Sequence, residues 1–170
     1  MRDRRGGHAD RPAKIESAGI HEYGMERALK EAQKAYSMGE VPVGAVILKA
    51  GVVIGQGHNL KETLKDPTAH AEILAIREAA RREAGWRILD ATMYVTLEPC
   101  PMCAGAIVMA RIPRLVIGTM DPRTGACGSL WNIVCDKRLN HRVEVITGVK
   151  GDECRKLLEE FFAELRQEDT

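Results

Sequence analysis

The chain has 170 residues, of which 45% are hydrophobic and 29% are charged, and its net charge is +1. This composition is ordinary for one globular domain, and no apolar run approaches the roughly 20 residues that a membrane span requires. We therefore expect no membrane partner. The weak net charge gives no indication of a nucleic-acid partner.

The N-terminal segment differs from the remainder of the chain. Residues 1–22 combine many charges with glycine and proline and show no hydrophobic period, so we predict a flexible basic extension before a domain at residues 23–170. A solubilising tail and an arm that contacts RNA are both compatible with this pattern. Because no apolar stretch follows its basic cluster, the segment does not resemble a secretory signal, and we expect a cytoplasmic protein.

The first predicted elements of the domain are a helix and a hairpin. Apolar residues at helical spacing begin at Met25 and stop before Gly39, as in an amphipathic helix with a glycine cap. Two runs rich in β-branched residues, Val43–Leu48 and Val52–Ile54, are separated by a short turn and predict a β-hairpin.

Helices and strands then alternate. We expect the second helix to begin with Asp66 as its N-cap and Pro67 in its first turn. The later elements are a strand at Met93–Leu97, a helix at Ala104–Ala110, strands at Leu115–Ile117 and Val143–Ile146, and an amphipathic helix from Cys154 to Leu165. This order predicts a three-layer α/β/α fold around a mixed sheet of about five strands.

Two short motifs carry metal-ligand chemistry. One contains His70 and Glu72, and the other is the run Pro99-Cys100-Pro101-Met102-Cys103. Cysteines three residues apart at a helix start place both sulfurs on one side, and the helix dipole favours their thiolate forms. One imidazole and two thiolates suit tetrahedral Zn²⁺, and the lack of a fourth ligand at a short spacing indicates a catalytic site.

Each motif has a simpler interpretation when it is taken alone. The cysteine pair could be a redox pair or two buried thiols, and His70 could be a surface histidine. The five cysteines, an odd number without a secretory signal, argue against a disulfide framework. Glu72 is expected to shuttle protons, although residues two apart point about 200° apart on a helix. Its convergence with His70 is therefore predicted from the motif and not from helix geometry.

The pattern His-x-Glu followed by Pro-Cys-x-x-Cys is the signature of zinc nucleobase deaminases. The segments VPVGAVI, DPTAHAEI, YVTLEPCPMCAGAI, GSL and LNHRVEV make the sequence resemble the bacterial tRNA-specific adenosine deaminases from about Met25 to Arg166. The resemblance implies a cytidine-deaminase-like fold and one Zn²⁺ per subunit. It also implies conversion of the wobble adenosine (position 34) in the anticodon of tRNA to inosine, with the anticodon stem-loop as the partner.

In the implied reaction, a zinc-activated water attacks C6 of the adenine while Glu72 acts first as base and then as acid. The resemblance also implies contacts to substrate from Asn59, Asn140, Asp121 and Arg123, and Arg123 stands where the family has lysine. Taken alone, either asparagine could instead be a turn or cap residue.

The helix at Ala104–Ala110 continues an apolar stretch that begins at Pro101 and contains no charge. Such a helix needs cover on more than one face, so we expect one face on the sheet and the other in a homodimer. Two alternatives to a tRNA deaminase remain at this point. A deaminase of free cytosine, cytidine or guanine would share the zinc chemistry, and a non-catalytic zinc-stabilised RNA-binding module would share the ligands without requiring Glu72.

Overall fold

A computed structural model describes residues 17–169 and shows a five-stranded sheet between two helical layers. The helices are α1 (Ser17–Ser37), α2 (Lys61–Leu64), α3 (Ala71–Arg82), α4 (Pro101–Met109) and α5 (Gly151–Glu168). The strands are β1 (Gly44–Lys49), β2 (Val52–His58), β3 (Ala91–Leu97), β4 (Arg114–Thr119) and β5 (Glu144–Thr147), and a short 3-10 helix spans Ile133–Cys135. The predicted three-layer α/β fold is confirmed.

The strand order is β2-β1-β3-β4-β5, and the sheet is mixed. The hairpin β1–β2 is antiparallel, and β1 pairs antiparallel with β3, whereas β3, β4 and β5 are parallel. Because β2, β3 and β4 run in the same direction, the loops after all three strands emerge at one edge of the sheet. Ligands of open α/β sheets bind at this edge, beyond the carboxyl ends of the strands.

The helices pack closely on both faces of the sheet because glycines lie beneath two of them. An added Cβ at Gly44 of β1 would lie 2.0 Å from a carbonyl oxygen of α1, and one at Gly55 of β2 would lie 2.2 Å from a carbonyl oxygen of α3. One buried cluster joins the sheet to α3 and α4, and a second joins it to α1 and α5. Cys154 of α5 belongs to the second cluster and is 1% exposed.

Several predicted helix starts differ from the structure. Helix α1 includes residues 17–22, which lie in the predicted extension, and α4 begins at Pro101 and not at Ala104; residues 1–16 lie outside the described part of the chain. Asp66 does not cap α3, because its carboxylate instead accepts hydrogen bonds from the N–H and the hydroxyl of Thr68 in a tight turn. The helix begins at Ala71, with His70 in an extended conformation at the N-cap.

Within residues 17–169, the helices are all too short or too polar to cross a lipid bilayer.

Candidate metal and substrate site

The three predicted metal ligands lie together at the starts of two helices. His70 is the N-cap residue of α3, Cys100 is the N-cap residue of α4, and Cys103 lies in the first turn of α4. The Nδ1 atom of His70 is 3.6 Å from the Sγ of Cys100 and 3.5 Å from the Sγ of Cys103. All three ligand atoms lie within 4.8 Å of one another. The structure therefore brings the three predicted ligands together in one cluster that could hold a metal ion.

These distances fit a tetrahedral zinc ion. Zinc bonds of about 2.3 Å to sulfur and 2.0 Å to nitrogen, at a tetrahedral angle, separate the nitrogen and sulfur ligands by about 3.5 Å. One imidazole and two thiolates are also the borderline and soft donors that Zn²⁺ prefers over Mg²⁺ or Ca²⁺. His70, Cys100 and Cys103 could thus hold Zn²⁺ beside the cavity that His70 and Cys100 line.

The pKa values of the two cysteines favour the binding of a cation. Two hydrogen bonds lower the pKa of Cys100 to about 4: the stronger contribution comes from the Cys103 thiol and the weaker one from His70. The hydrogen bond to Cys100 and burial raise the pKa of Cys103, so one proton stays between the two sulfurs. A divalent cation at this position would displace that proton, because metal ligation requires deprotonated thiols.

Glu72 points into the same cavity as the ligands. It is the second residue of α3, its side chain is 4% exposed, and it lines the cavity together with His70 and Cys100. The angular problem of a His-x-Glu pair is resolved because His70 precedes the helix in an extended conformation and does not follow the helical rotation. Burial raises the pKa of the Glu72 carboxyl to about 7, so this group can both release and accept a proton near neutral pH.

The cavity has a volume of about 150 Å³. A space of this size holds one small planar ring, as engineered cavities that bind benzene do. Its walls come from the ends of β2, β3 and β4 and the start of β1, and the lining residues are Val41, Val43, Asn59, Lys61, His70, Ala71, Glu72, Leu97, Glu98, Cys100, Asp121 and Thr124. A heterocyclic base could enter, whereas a whole nucleotide would have to remain partly outside.

Two of the four predicted substrate contacts line this cavity. Asn59 is 8% exposed; its Nδ2 donates to the carbonyl oxygen of Val41 at 3.3 Å, and its Oδ1 accepts from the N–H of Lys61 at 3.2 Å. One amide hydrogen and one lone pair remain for a ligand. Asp121 is half-buried and accepts hydrogen bonds from the N–H of Arg123 and the hydroxyl of Thr124, which fold the loop after β4 into a turn.

The other two lie outside the cavity. Arg123 is exposed and lines a separate groove against α5, beside Arg155 and Phe162. Asn140 is exposed in the turn that precedes β5. The structure therefore separates the four predicted contacts into two that line the cavity and two that lie outside it.

Sequence reasoning missed Glu98 among the residues of the cavity wall. Its side chain is 2% exposed, and it lies between the end of β3 and the Pro-Cys motif. A carboxylate that directly follows a buried strand, and directly precedes a metal-ligand motif, was the signal that could have found it. Lys61 was also missed, because nothing in the sequence marks α2 as part of the wall.

Comparison with known proteins identifies the family. Residues 19–119 match the model of the cytidine and deoxycytidylate deaminase zinc-binding region. The tRNA-specific adenosine deaminase of Bacillus subtilis is 50% identical over 143 residues, which cover 84% of this chain and 89% of that protein. The tRNA-specific adenosine deaminase of Haemophilus influenzae is 50% identical over 145 residues, which cover 85% of this chain and 84% of that protein.

Solved structures agree with this assignment. A structure from a study of A-to-I editing by tRNA:A34 deaminases at the wobble position superposes with a TM-score of 0.77 and 43% identity, covering 80% of this chain and 99% of that one. Guanine deaminase from Bacillus subtilis matches with a TM-score of 0.56 and 40% identity, but over only 59% of this chain and 64% of that one. The chain belongs to the cytidine and deoxycytidylate deaminase family of zinc-binding proteins, and its relatives in Bacillus subtilis and Haemophilus influenzae are tRNA-specific adenosine deaminases.

Proposed function

We propose that this protein deaminates adenosine at the wobble position of a tRNA anticodon, converting it to inosine within the tRNA while consuming one water and releasing ammonia. The observation that carries the proposal is the convergence of three zinc-ligating side chains and a buried glutamate on one base-sized cavity. The choice of adenosine in tRNA is supported by relatives that bear this name and are about half identical to this chain over most of its length.

The chain's own residues suit the individual steps. Bound Zn²⁺ would supply a Lewis acid that makes a coordinated water acidic near neutral pH. The Glu72 carboxylate accepts one proton of the attacking water and delivers it to ring N1, then accepts the second proton of that water and transfers it to the departing amine. A carboxyl whose pKa lies near 7 suits both directions of transfer. The remaining amide hydrogen and lone pair of Asn59 can pair with the substrate at the cavity wall.

The small cavity also favours an unpaired base over one in a duplex. A base must leave its stack to enter a cavity of about 150 Å³, and anticodon loops offer bases that are already unpaired. On this basis we propose that Asn59 and Asp121 contact the nucleotide at the cavity, whereas Arg123 and Asn140 contact the anticodon loop farther out.

The test is to incubate purified zinc-loaded protein with an adenosine-34 anticodon stem-loop, free adenosine, cytidine and guanine, and to measure ammonia and each deaminated product. We expect inosine only in the stem-loop. Guanine belongs in the assay because a guanine deaminase is among the similar structures. Product from a free base or nucleoside alone would overturn the substrate assignment, and zinc binding without any turnover would favour a non-catalytic RNA-binding module.

We further propose that the protein is a homodimer that packs through the outer face of α4. Met102, Gly105, Ala106 and Met109 form one stripe at helical spacing; Met109 is 66% exposed, and an added Cβ at Gly105 would meet nothing within 4 Å. An apolar face of this kind is typical of an interface.

In sedimentation velocity at micromolar concentration we expect a dimer for the wild type, a monomer for Met109→Glu, and a dimer for the control Val52→Glu on the exposed hairpin. A wild-type monomer would refute the interface. Because its substrate would be cytoplasmic tRNA, we also propose a cytoplasmic location, which cell fractionation tests.

A further inference from the structure

A second buried carboxylate, Glu98, borders the cavity but has no part in the chemistry proposed above. It directly follows β3 and is 2% exposed. Burying a carboxylate is costly unless hydrogen bonds replace its water, so its partners indicate its purpose.

Within residues 17–169, all the hydrogen bonds that the Glu98 carboxylate accepts come from one loop, residues 121–129, which follows β4. Its Oε1 accepts from the N–H of Cys127 at 3.1 Å and from the N–H of Ser129 at 2.9 Å. Its Oε2 accepts from the N–H of Asp121 at 2.8 Å and from the hydroxyl of Ser129. A single carboxylate therefore binds both ends of the loop.

The middle of the loop also packs against the Glu98 carboxylate. An added Cβ at Gly125 would lie 2.1 Å from Oε2 of Glu98, so the backbone approaches the carboxylate as closely as only glycine permits. The N–H of Gly125 donates to the carbonyl oxygen of Asp121 at 2.9 Å, and this hydrogen bond stabilises the turn. The part of this loop that faces the cavity is formed by Asp121 and Thr124.

We propose that Glu98 is a positioning residue for the deamination reaction: its carboxylate fixes the loop 121–129, so that Asp121 and Thr124 form a preorganised outer wall against the RNA substrate. The inference rests on the proposed function and deepens it. Among the described residues, the hydrogen-bond partners of Glu98 include none of the metal ligands and not Glu72, so it acts through the loop.

The amide of glutamine cannot replace this carboxylate. Every described partner of the Glu98 carboxylate donates, and each of its oxygens accepts two hydrogen bonds, whereas a glutamine side chain presents donors at one of its two ends. In Glu98→Gln, an NH₂ group would face the N–H groups at one end of the loop, while the size of the residue would be unchanged. One end of the loop would be released.

For Glu98→Gln we expect unchanged zinc content, a KM for the anticodon stem-loop raised about tenfold, and a kcat within about threefold of wild type, since hydrogen bonds to charged groups contribute about 1.5 to 3 kcal/mol. Amide hydrogen exchange at Asp121, Cys127 and Ser129 should accelerate. The matched control is Glu78→Gln, because the Glu78 carboxylate also accepts a backbone N–H, from Gln56 at 2.9 Å, but does not line the cavity. It should leave KM and loop exchange unchanged.

A milder variant keeps the inference testable if Glu98→Gln does not fold. Ser129→Ala removes one of the four hydrogen bonds and should raise KM in the same direction but less. A fall in kcat at unchanged KM, or a loss of zinc from a folded variant, would overturn the positioning role. If the wild type deaminates none of the substrates, the proposed function fails by itself. Loop exchange in the variants still decides whether Glu98 fixes the loop, and unchanged exchange overturns it.

Discussion

The inner end of the cavity and its outer wall are constructed in different ways. At the inner end, His70, Cys100 and Cys103 occupy the starts of two helices, so backbone geometry alone brings their ligand atoms within 4.8 Å. The outer wall is formed in part by the loop 121–129, which is held through the carboxylate of Glu98. The family match covers residues 19–119 and so includes the inner end but not this loop. We infer that the inner end provides the reaction and the outer wall the choice of substrate.

The largest expected effect comes from changing the inner end without removing the metal. Glu72→Gln should keep zinc bound, because Glu72 is not one of the three clustered ligands. It should lower kcat by about 10²- to 10⁴-fold, since a positioned acid–base group contributes this much. Steady-state kinetics on the stem-loop together with zinc analysis by mass spectrometry would check this. A variant that deaminates at nearly the wild-type rate would show that another group moves the proton.

The same substitution, which lowers kcat, should increase the stability of the zinc-free protein at high pH. Burial raises the pKa of Glu72 from 4.5 to about 7, so the folded state favours the protonated form. The corresponding stability is fully present below pH 4.5 and is lost as the pH rises to 7, by at most about 3 kcal/mol. The glutamine side chain is neutral at every pH, so the variant does not lose this stability as the pH rises. Glu72→Gln should therefore unfold at higher urea concentration than wild type at pH 8, and at nearly the same concentration at pH 5; an equal difference at both pH values would contradict the role of burial.

The inner end could be predicted from sequence because its ligands occur in two short motifs, each at the start of a helix. The alternation of helices and strands likewise predicted the layers and the five-stranded sheet, which are fixed by hydrophobic periodicity. Helix boundaries were less predictable. Asp66 and Pro67 have the residue types of a helix start, but the Asp66 carboxylate is used by a turn with Thr68, and the helix begins four residues after Pro67, at Ala71.

The outer wall could not be predicted because its contacts join distant parts of the chain. The hydrogen bonds of Glu98 reach residues 23 to 31 positions away, and nothing local in the loop announces its partner. Asn59 and Asn140 look equivalent as isolated asparagines in turns, yet Asn59 is buried at the cavity and Asn140 is exposed. Local motifs thus reveal the chemistry of this site, whereas its shape depends on tertiary packing.

The smallest expected effect is at the edge of the outer wall. Arg123 is exposed beside α5 and lies outside the cavity, so a contact from its guanidinium would be to phosphate and not to the reacting base. Arg123→Ala should weaken stem-loop binding modestly, leave kcat at saturating RNA unchanged, and reduce the slope of log affinity against log salt concentration by about 1.

The control for this measurement is Arg81→Ala, which removes an equal charge from the last turn of α3, the end opposite His70. Salt titrations of RNA binding should separate the two variants, because the loss of bulk charge affects both but the loss of a phosphate contact affects only Arg123→Ala. Equal slopes would place the RNA away from the groove at Arg123. A change in kcat would instead show that Arg123 affects the reaction at the base and not only the binding of the RNA.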